Sequence, residues 1–309
     1  MPNYISEAKI EELELLANNA RELLIEMLTE AGSGHTAGPL GMADIFTAMY
    51  FHVLKHDPKN PMWEERDRLI LSNGHICPIR YVTMAMAGYF PIEELKTLRK
   101  FGTRLQGHPE RERLPGVETT SGPLGSGLGQ AAGYAYAARM DVNNHSADSG
   151  RSSGQFRVYC FMSDGEQEAG ATWESAMFAG KNRLSNLTAV IDRNNIQIDG
   201  MTENIMPLEP LRVKYEAFNW HVLEVDGHNI EQFVDAVEQA KAIYEKPTII
   251  IAHTIPGKGV DFMEFDYLWH GNPPGTVKND PDAPPLERQA EEALRQLRTL
   301  GGKIKSEHE

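Results

Sequence analysis

The sequence predicts an α/β protein, a doubly wound, mostly parallel sheet with helices on both faces. From residue 156 onward, short apolar runs alternate with amphipathic stretches at the spacing of βαβ units. The runs are apolar throughout rather than every second residue, which marks strands buried on both faces. With 309 residues, 41% hydrophobic and 24% charged, the chain can bury one large core but is short for two full-sized α/β domains.

Taken in order, Ile10, Leu13, Ala17, Ala20, Leu24, Met27 and Ala31 recur at spacings of three and four, predicting a helix over 6–31 that Gly32-Ser33-Gly34 stops. A second helical stretch follows Pro39, with Ala43, Phe46, Met49 and Tyr50 on one side. Leu69-Ile70-Leu71 reads as a strand that runs into Ser72-Asn73-Gly74-His75, and Tyr81, Met84 and Met86 then fill core at helical spacing. Residues 101–129, rich in Gly and Pro, predict a long functional loop that turns helical over 125–139. The polar segment 143–155 predicts a solvated loop. Strands are then expected at 156–162, 187–192, 220–225 and 248–252, and helices at 168–180, 208–218 and 230–244, joined by right-handed crossovers. Prolines 273, 274, 281, 284 and 285 predict an extended connection to a last helix over 286–300, with Glu291 placed to pair Arg295. The expected division is a main domain over 1–275 and this connection and helix over 276–309.

The net charge of −14, from 30 Lys+Arg against 44 Asp+Glu, argues against binding nucleic acid or an anionic membrane through a broad basic surface. Cys77 and Cys160 are the only cysteines and lack metal-ligand spacing, pointing to a reducing compartment. The first 18 residues carry neither a basic start nor an apolar run, and no stretch of 18 apolar residues occurs, so a soluble, cytoplasmic chain is expected.

The most informative segment is Phe161-Met162-Ser163-Asp164-Gly165-Glu166, followed by Ala189-Val190-Ile191-Asp192-Arg193-Asn194-Asn195. Asp164 falls past the carboxyl end of one predicted strand and Asn194, 30 residues later, past the end of the next. Both side chains should meet at the sheet edge where open α/β proteins bind ligands. A carboxylate with an amide oxygen is a hard, oxygen-only set suited to Mg²⁺ or Ca²⁺ carrying a phosphorylated ligand. Gly165 would let its N–H approach a phosphate at a helix start. The competing reading is that Asp-Gly and Asn-Asn are simply turn residues. Four histidines, His35, His75, His108 and His270, stand beside glycines in predicted loops, a setting that favours hydroxyl or phosphate binding and proton transfer over surface capping. His52, His56 and His145 lack that setting and read as surface residues. Gly125-Ser126-Gly127-Leu128-Gly129 lacks the preceding strand of a dinucleotide fingerprint.

Together these motifs resemble the amino-terminal, diphosphate-binding half of a transketolase. The matching text is Gly34-His35-Thr-Ala-Gly38-Pro39-Leu-Gly41, Ser72-Asn73-Gly74-His75, Gly107-His108-Pro109-Glu110, Gly116 to Gly125, Asp164-Gly165-Glu166 through Asn194, Ile196 and Ile198-Asp199-Gly200, then Thr254 to Gly259 and His270-Gly271, in order over residues 6–275. The resemblance implies the thiamine diphosphate-binding fold and thiamine diphosphate as cofactor. It implies that Asp164, Asn194 and the Ile196 carbonyl hold a divalent ion (Mg²⁺ or Ca²⁺), and that Gly165, Glu166, Asn194, His75 and His270 contact the cofactor. Gly122 and Leu124 would approach its aminopyrimidine through their backbones, while His35, His108 and His270 would serve catalysis at the sugar's carbonyl and first hydroxyls. Single-chain members continue into a second α/β domain that supplies a glutamate to the aminopyrimidine. No room remains for it after residue 275, so the resemblance implies one subunit of a split transketolase, working with a carboxy-terminal partner as an α2β2 heterotetramer on sugars, commonly sugar phosphates.

The chain departs from the family pattern at three places. Ser163 stands where Gly is usual, Ala169 stands where a subunit-bridging Glu is usual with Glu168 displaced by one, and Thr36-Ala37 replaces Pro-Gly after His35; Glu174 matches. Two other functions remain open at this point. The α subunit of a 2-oxo-acid dehydrogenase would explain Asp164 and Asn194 but not the motifs around His35 and His108. A non-catalytic interaction subunit of the same fold has only Ser163 and Ala169 in its favour.

Overall fold

The structure, a computed structural model, describes residues 5–144 and 156–299. Helix α1 (Glu7–Ala31) starts where the Ser6 hydroxyl accepts from the Lys9 N–H and stops at Gly32, whose φ of 60° turns its N–H back to the carbonyls of Leu28 and Thr29. The expected stripe is buried from Leu13 to Met27, with Ile10 and Ala31 half-buried. The second helical stretch begins before Pro39: α2 (Ala37–Gly41) holds that proline in its first turn, where its missing N–H costs nothing, and α3 (Ala43–Ala48) follows. Strand β1 (Arg68–Leu71), a tight turn over Gly74–Ile76 and α4 (Cys77–Met86) come next.

Residues 101–126 carry no helix or strand, yet they are tied down. Leu105, Leu114 and Val117 enter the core, and buried Glu118 is forked between Arg66 and Arg80. The helix that ends this loop, α5 (Gly127–Asn144), runs five residues beyond the expected 139, so the segment expected as loop begins helical; the rest of it, from His145, lies outside the described residues. Then follow β2 (Val158–Ser163), α6 (Gly170–Lys181), β3 (Leu187–Arg193), a hairpin of β4 (Ile196–Gln197) and β5 (Gly200–Met201), α7 (Thr202–Ile205), α8 (Leu211–Ala217), β6 (His221–Asp226), α9 (Ile230–Ala242), β7 (Thr248–His253) and α10 (Gln289–Thr299). Helix α8 starts at Leu211 rather than 208 because Pro210 disfavours helical backbone in the residue before it. In α10, Arg295 pairs Glu292 at 2.5 Å, not Glu291, which lies toward Arg288; steps of three and four share a helix face, and Glu292 takes the Arg295 fork on both its carboxylate oxygens. Residue 300 lies outside the described residues.

The five main strands pair in parallel in the order β1-β2-β3-β7-β6. Their alternate residues divide the core in two. Tyr159, Phe161, Val190 and Ile250 pack with α1, α3, α4 and α9, whereas Cys160, Met162, Ile191 and Ile251 pack with α5, α6 and α8. Connections through α5, α6 and α8 progress one way across the sheet on one face. The connection through α9 comes back, and its helix lies on the other face, which keeps the crossover hand constant. Helix α10 returns to α1, where Asn18 donates to the Leu297 carbonyl. His56, expected at the surface, is half-buried and stacked on Tyr89, with one ring nitrogen on the Tyr89 hydroxyl and the other on the Tyr50 carbonyl. No helix among the described residues is long and apolar enough to cross a membrane.

Candidate active site

The carboxyl ends of β1, β2 and β3 open onto one cavity of about 470 Å³, closed from above by the loop through His108 to Leu124 and from the side by His270 and the β4–β5 hairpin. His35, His75, His108, His270, Gly122, Leu124, Asp164, Gly165 and Ile196 all line it. Nine of the residues singled out from the sequence therefore converge, from segments 235 positions apart at the extremes. The approach is close: a Cβ on Gly74 would lie 2.5 Å from the Ser121 hydroxyl and 3.1 Å from the Gly122 nitrogen, so only glycine lets the β1 turn meet the covering loop.

Three of the histidines form a cluster, with ring centroids 4.9 Å apart for His35 and His75, 5.4 Å for His35 and His270, and 5.3 Å for His75 and His270. Burial drives their ionisation down. His270 falls to about 4, and His35 to about 3, through burial first and then the neighbouring His270, Arg99 and His108; His75 is held well below the usual imidazole range. Near pH 7 these rings are neutral, each with one donor and one acceptor nitrogen. The Nδ1 atoms of His35 and His270 are buried with no protein partner among the described residues, as is the Ser121 hydroxyl. Orphaned polar atoms of this kind in a cavity fit a polar ligand.

The acidic side is built differently. Asp164 Oδ2 accepts from Arg193 Nη1 at 3.0 Å and from the Asn195 N–H at 2.7 Å, while Oδ1 accepts only from the Gly165 N–H at 2.7 Å among the described residues. Asn195 adopts a φ of 63°, a left-handed conformation that asparagine tolerates. Burial raises the Asp164 carboxyl in spite of Arg193. Asn194 donates through Nδ2 to Asp192 at 2.8 Å, which turns its Oδ1 the other way, where it accepts from the Ile196 N–H at 3.1 Å. Asp192, fully buried behind it, takes the Thr254 hydroxyl and is pushed up to about 7 by burial. One lone pair on Asp164 Oδ1 and one on Asn194 Oδ1 remain free of donors from the described residues. That donor set fits a hard divalent cation shared with phosphate oxygens. Among the described residues no group of three His, Cys, Asp or Glu is placed to bind a metal, so any cation here rests on amide and carbonyl oxygens as well as carboxylate.

Two expected residues stand off the cavity wall. Asn194 lies just behind it. Glu166 is turned inward: its carboxylate accepts from the Ser72 hydroxyl, the Gly125 N–H at 2.5 Å and the Ser163 N–H at 3.3 Å, clasping the end of the long loop to β1 and β2. Of the departures, Ser163 lines the cavity, Glu168 is exposed and accepts from Gln197 at 2.8 Å, and Ala169 packs against Gly125. Glu174 is exposed on α6.

The structure adds groups to which the sequence motifs assign no role. Arg193 links Asp164 to Glu203 and Glu209, and Gln197, Ile198 and Asp199 of the hairpin line the cavity. A buried relay also reaches the site: Arg21 forks Asp44, which accepts from His228 Nδ1, whose Nε2 accepts from the Ile255 N–H at 2.7 Å beside Thr254. Burial alone would raise the Asp44 carboxyl, but Arg21 and His228 hold it at about 2. Of this machinery only Asp192 and Arg193 carry a sequence signal, charge at the end of an apolar run.

The transketolase, thiamine diphosphate binding domain family matches residues 13–280. The chain is 45% identical over 266 residues to the 6-deoxy-6-sulfo-D-fructose transketolase subunit of Clostridium sp. (strain MSTE9), covering 86% of this chain and 92% of that one. It is 36% identical to one of the subunits of the apulose-4-phosphate transketolase of Phocaeicola vulgatus, covering 97% of this chain and 99% of the relative. Other relatives are longer: with transketolase 2 of Escherichia coli the identity is 39% over 84% of this chain but 39% of the relative. Among solved structures, transketolase from Leishmania mexicana superposes with a TM-score of 0.81 at 31% identity, over 93% of this chain and 44% of that one. The chain therefore belongs to the transketolase family, as a member of its thiamine diphosphate binding domain.

Proposed function

We propose that this chain is the diphosphate-binding subunit of a two-subunit transketolase, moving a two-carbon ketol unit from a ketose to an aldose. One observation carries the reading: a cavity in which neutral histidines, two of them with an Nδ1 that has no partner among the described residues, face a preformed oxygen donor set, in a chain that matches transketolase subunits over nearly their whole length. Asp164, Asn194 and the Ile196 carbonyl would hold Mg²⁺ or Ca²⁺. The Gly165 N–H, His75 and His270 would hold the diphosphate, and the backbones at Gly122 and Leu124 would meet the pyrimidine. Thiamine diphosphate, when bound, supplies the electron sink for carbon–carbon bond cleavage.

The protein's own groups do the rest. His35 and His108 would hold the sugar's carbonyl and first hydroxyls, and a neutral imidazole among His35, His108 and His270 would take the hydroxyl proton as the bond breaks. The near-full-length relatives are named as subunits, which supports a partner chain; we take it to be a carboxy-terminal subunit supplying the pyrimidine domain and catalytic glutamate, in an α2β2 assembly in the cytoplasm. Those relatives are also named for 6-deoxy-6-sulfo-D-fructose and for apulose-4-phosphate, which favours a modified sugar here as well. Mixing the chain with its partner, thiamine diphosphate and Mg²⁺ should give ketol transfer that neither chain gives alone. Full turnover without a partner, or CO₂ release from a 2-oxo acid in its place, would overturn the reading.

A further inference from the structure

The guanidinium of Arg193 is built into the floor of the site more elaborately than an ordinary ion pair. Its side chain is 4% exposed; Nη1 donates to Asp164 Oδ2 at 3.0 Å, and Nη2 donates to Glu203 and, at 3.1 Å, to Glu209. Asp164 Oδ2 has a second strong donor in the Asn195 N–H at 2.7 Å and a long third in the Thr202 hydroxyl at 3.4 Å. A carboxylate oxygen offers two lone pairs. Oδ2 is therefore filled from the protein, and Oδ1, with the Gly165 N–H alone among the described residues, keeps one lone pair.

We propose that Arg193 is a positioning residue for the metal-binding carboxylate: it clamps Oδ2, fixes the carboxylate plane and leaves Oδ1 as the atom offered to the cation. This rests on the reading of Asp164 as a metal ligand. The two glutamates at the far end are part of the device. They hold the rigid fork in place and offset its charge, so a positive group sits 3.0 Å from a cation ligand without a bare repulsion. They also tie the segment after the hairpin to the site, since Glu203 further accepts from the Leu208 N–H.

Charge and clamp predict opposite signs. If Arg193 acted on the site only through its charge, removing it would tighten cation binding; as a clamp, its removal loosens binding, by about tenfold or more, as for partners of other metal ligands. The test uses the chain reconstituted with its partner and saturating thiamine diphosphate, with Mn²⁺ as the probe read by electron paramagnetic resonance, and melting temperature measured alongside. Arg193→Met should weaken Mn²⁺ binding about tenfold or more, Arg193→Lys should recover part of the loss, and the pair Glu203→Gln with Glu209→Gln should weaken it by less than Arg193→Met. Should Arg193→Met fail to fold, the lysine variant carries the same test: it keeps the charge and loses the planar fork, so weaker Mn²⁺ binding supports the clamp and unchanged binding overturns it. Mn²⁺ binding by Arg193→Met that is unchanged or tighter, or a lowered melting temperature with unchanged affinity, overturns the clamp alone. Failure of the wild-type complex to bind Mn²⁺ with thiamine diphosphate overturns the metal assignment and the clamp with it.

Discussion

The histidine side of the cavity and its acidic side are organised in opposite ways. Around Asp164 and Asn194 nearly every polar atom is spent on another protein group: Arg193 donates to Asp164, Asn194 and Thr254 donate to Asp192, and the Asp164 N–H joins the two sets at the Asp192 carbonyl. Around His35 and His270 the Nδ1 atoms have no protein partner among the described residues. The acidic side is thus preorganised by the protein, whereas the histidine side, among the described residues, leaves ring nitrogens unsatisfied. Mutations on the two sides should accordingly separate stability from activity.

The largest effect is expected at Asp164. Asp164→Ala removes the hub of the network and leaves Arg193 with only the half-exposed Glu203 and Glu209, so urea denaturation should show a loss of about 3 kcal/mol, and cofactor binding by calorimetry should vanish. Next comes the opposite pattern. His270→Gln should lower turnover of the reconstituted complex by about 100-fold or more, while its stability changes by less than about 1 kcal/mol because no hydrogen bond between Nδ1 and the described residues is lost. Equal losses of stability on both sides would break the comparison.

The pH dependence sharpens it. The folded values of His270 and His35, about 4 and about 3, lie below the 6.5 of an unfolded chain, so below pH 6.5 the unfolded state takes up more protons. Stability from these two rings is complete above pH 6.5 and is lost as pH falls toward 4 and then 3. Imidazole resonances followed by NMR should stay in the neutral form at pH 5, and replacing His270 by Gln should flatten the acid limb of the stability profile. The smallest effect is expected at Glu168→Ala, which breaks one exposed hydrogen bond to Gln197 and should change stability by less than about 0.5 kcal/mol.

The fold was legible wherever burial wrote itself as continuous apolar text. Val158–Met162 and Leu187–Ile191 could be little but central parallel strands, and the α1 stripe could be little but a helix. The β4–β5 hairpin was not legible, because two-residue strands around Ile198-Asp199 have the composition of a turn and no period to detect. Site residues followed the same division. His35, His75, His108 and His270 announced themselves by glycine neighbours, since close approach is a backbone requirement that sequence records. Arg193 and Asp192 did not, because a side chain's partners across the fold leave no mark on its own neighbours. The inward turn of Glu166 went unseen for the same reason: Ser72 and Gly125, which occupy it, lie 94 and 41 positions away.

Where a cation and a diphosphate settle in this cavity decides most directly whether the acidic side and the histidine side form one cofactor site. A crystal structure of the chain with its partner, grown with thiamine diphosphate and Mn²⁺, should place the anomalous Mn²⁺ peak against Asp164 Oδ1, Asn194 Oδ1 and the Ile196 carbonyl, with the diphosphate beside His75 and His270. A peak bound elsewhere, or a diphosphate on the far side of the Asp164–Arg193 pair from the histidine cluster, would contradict it.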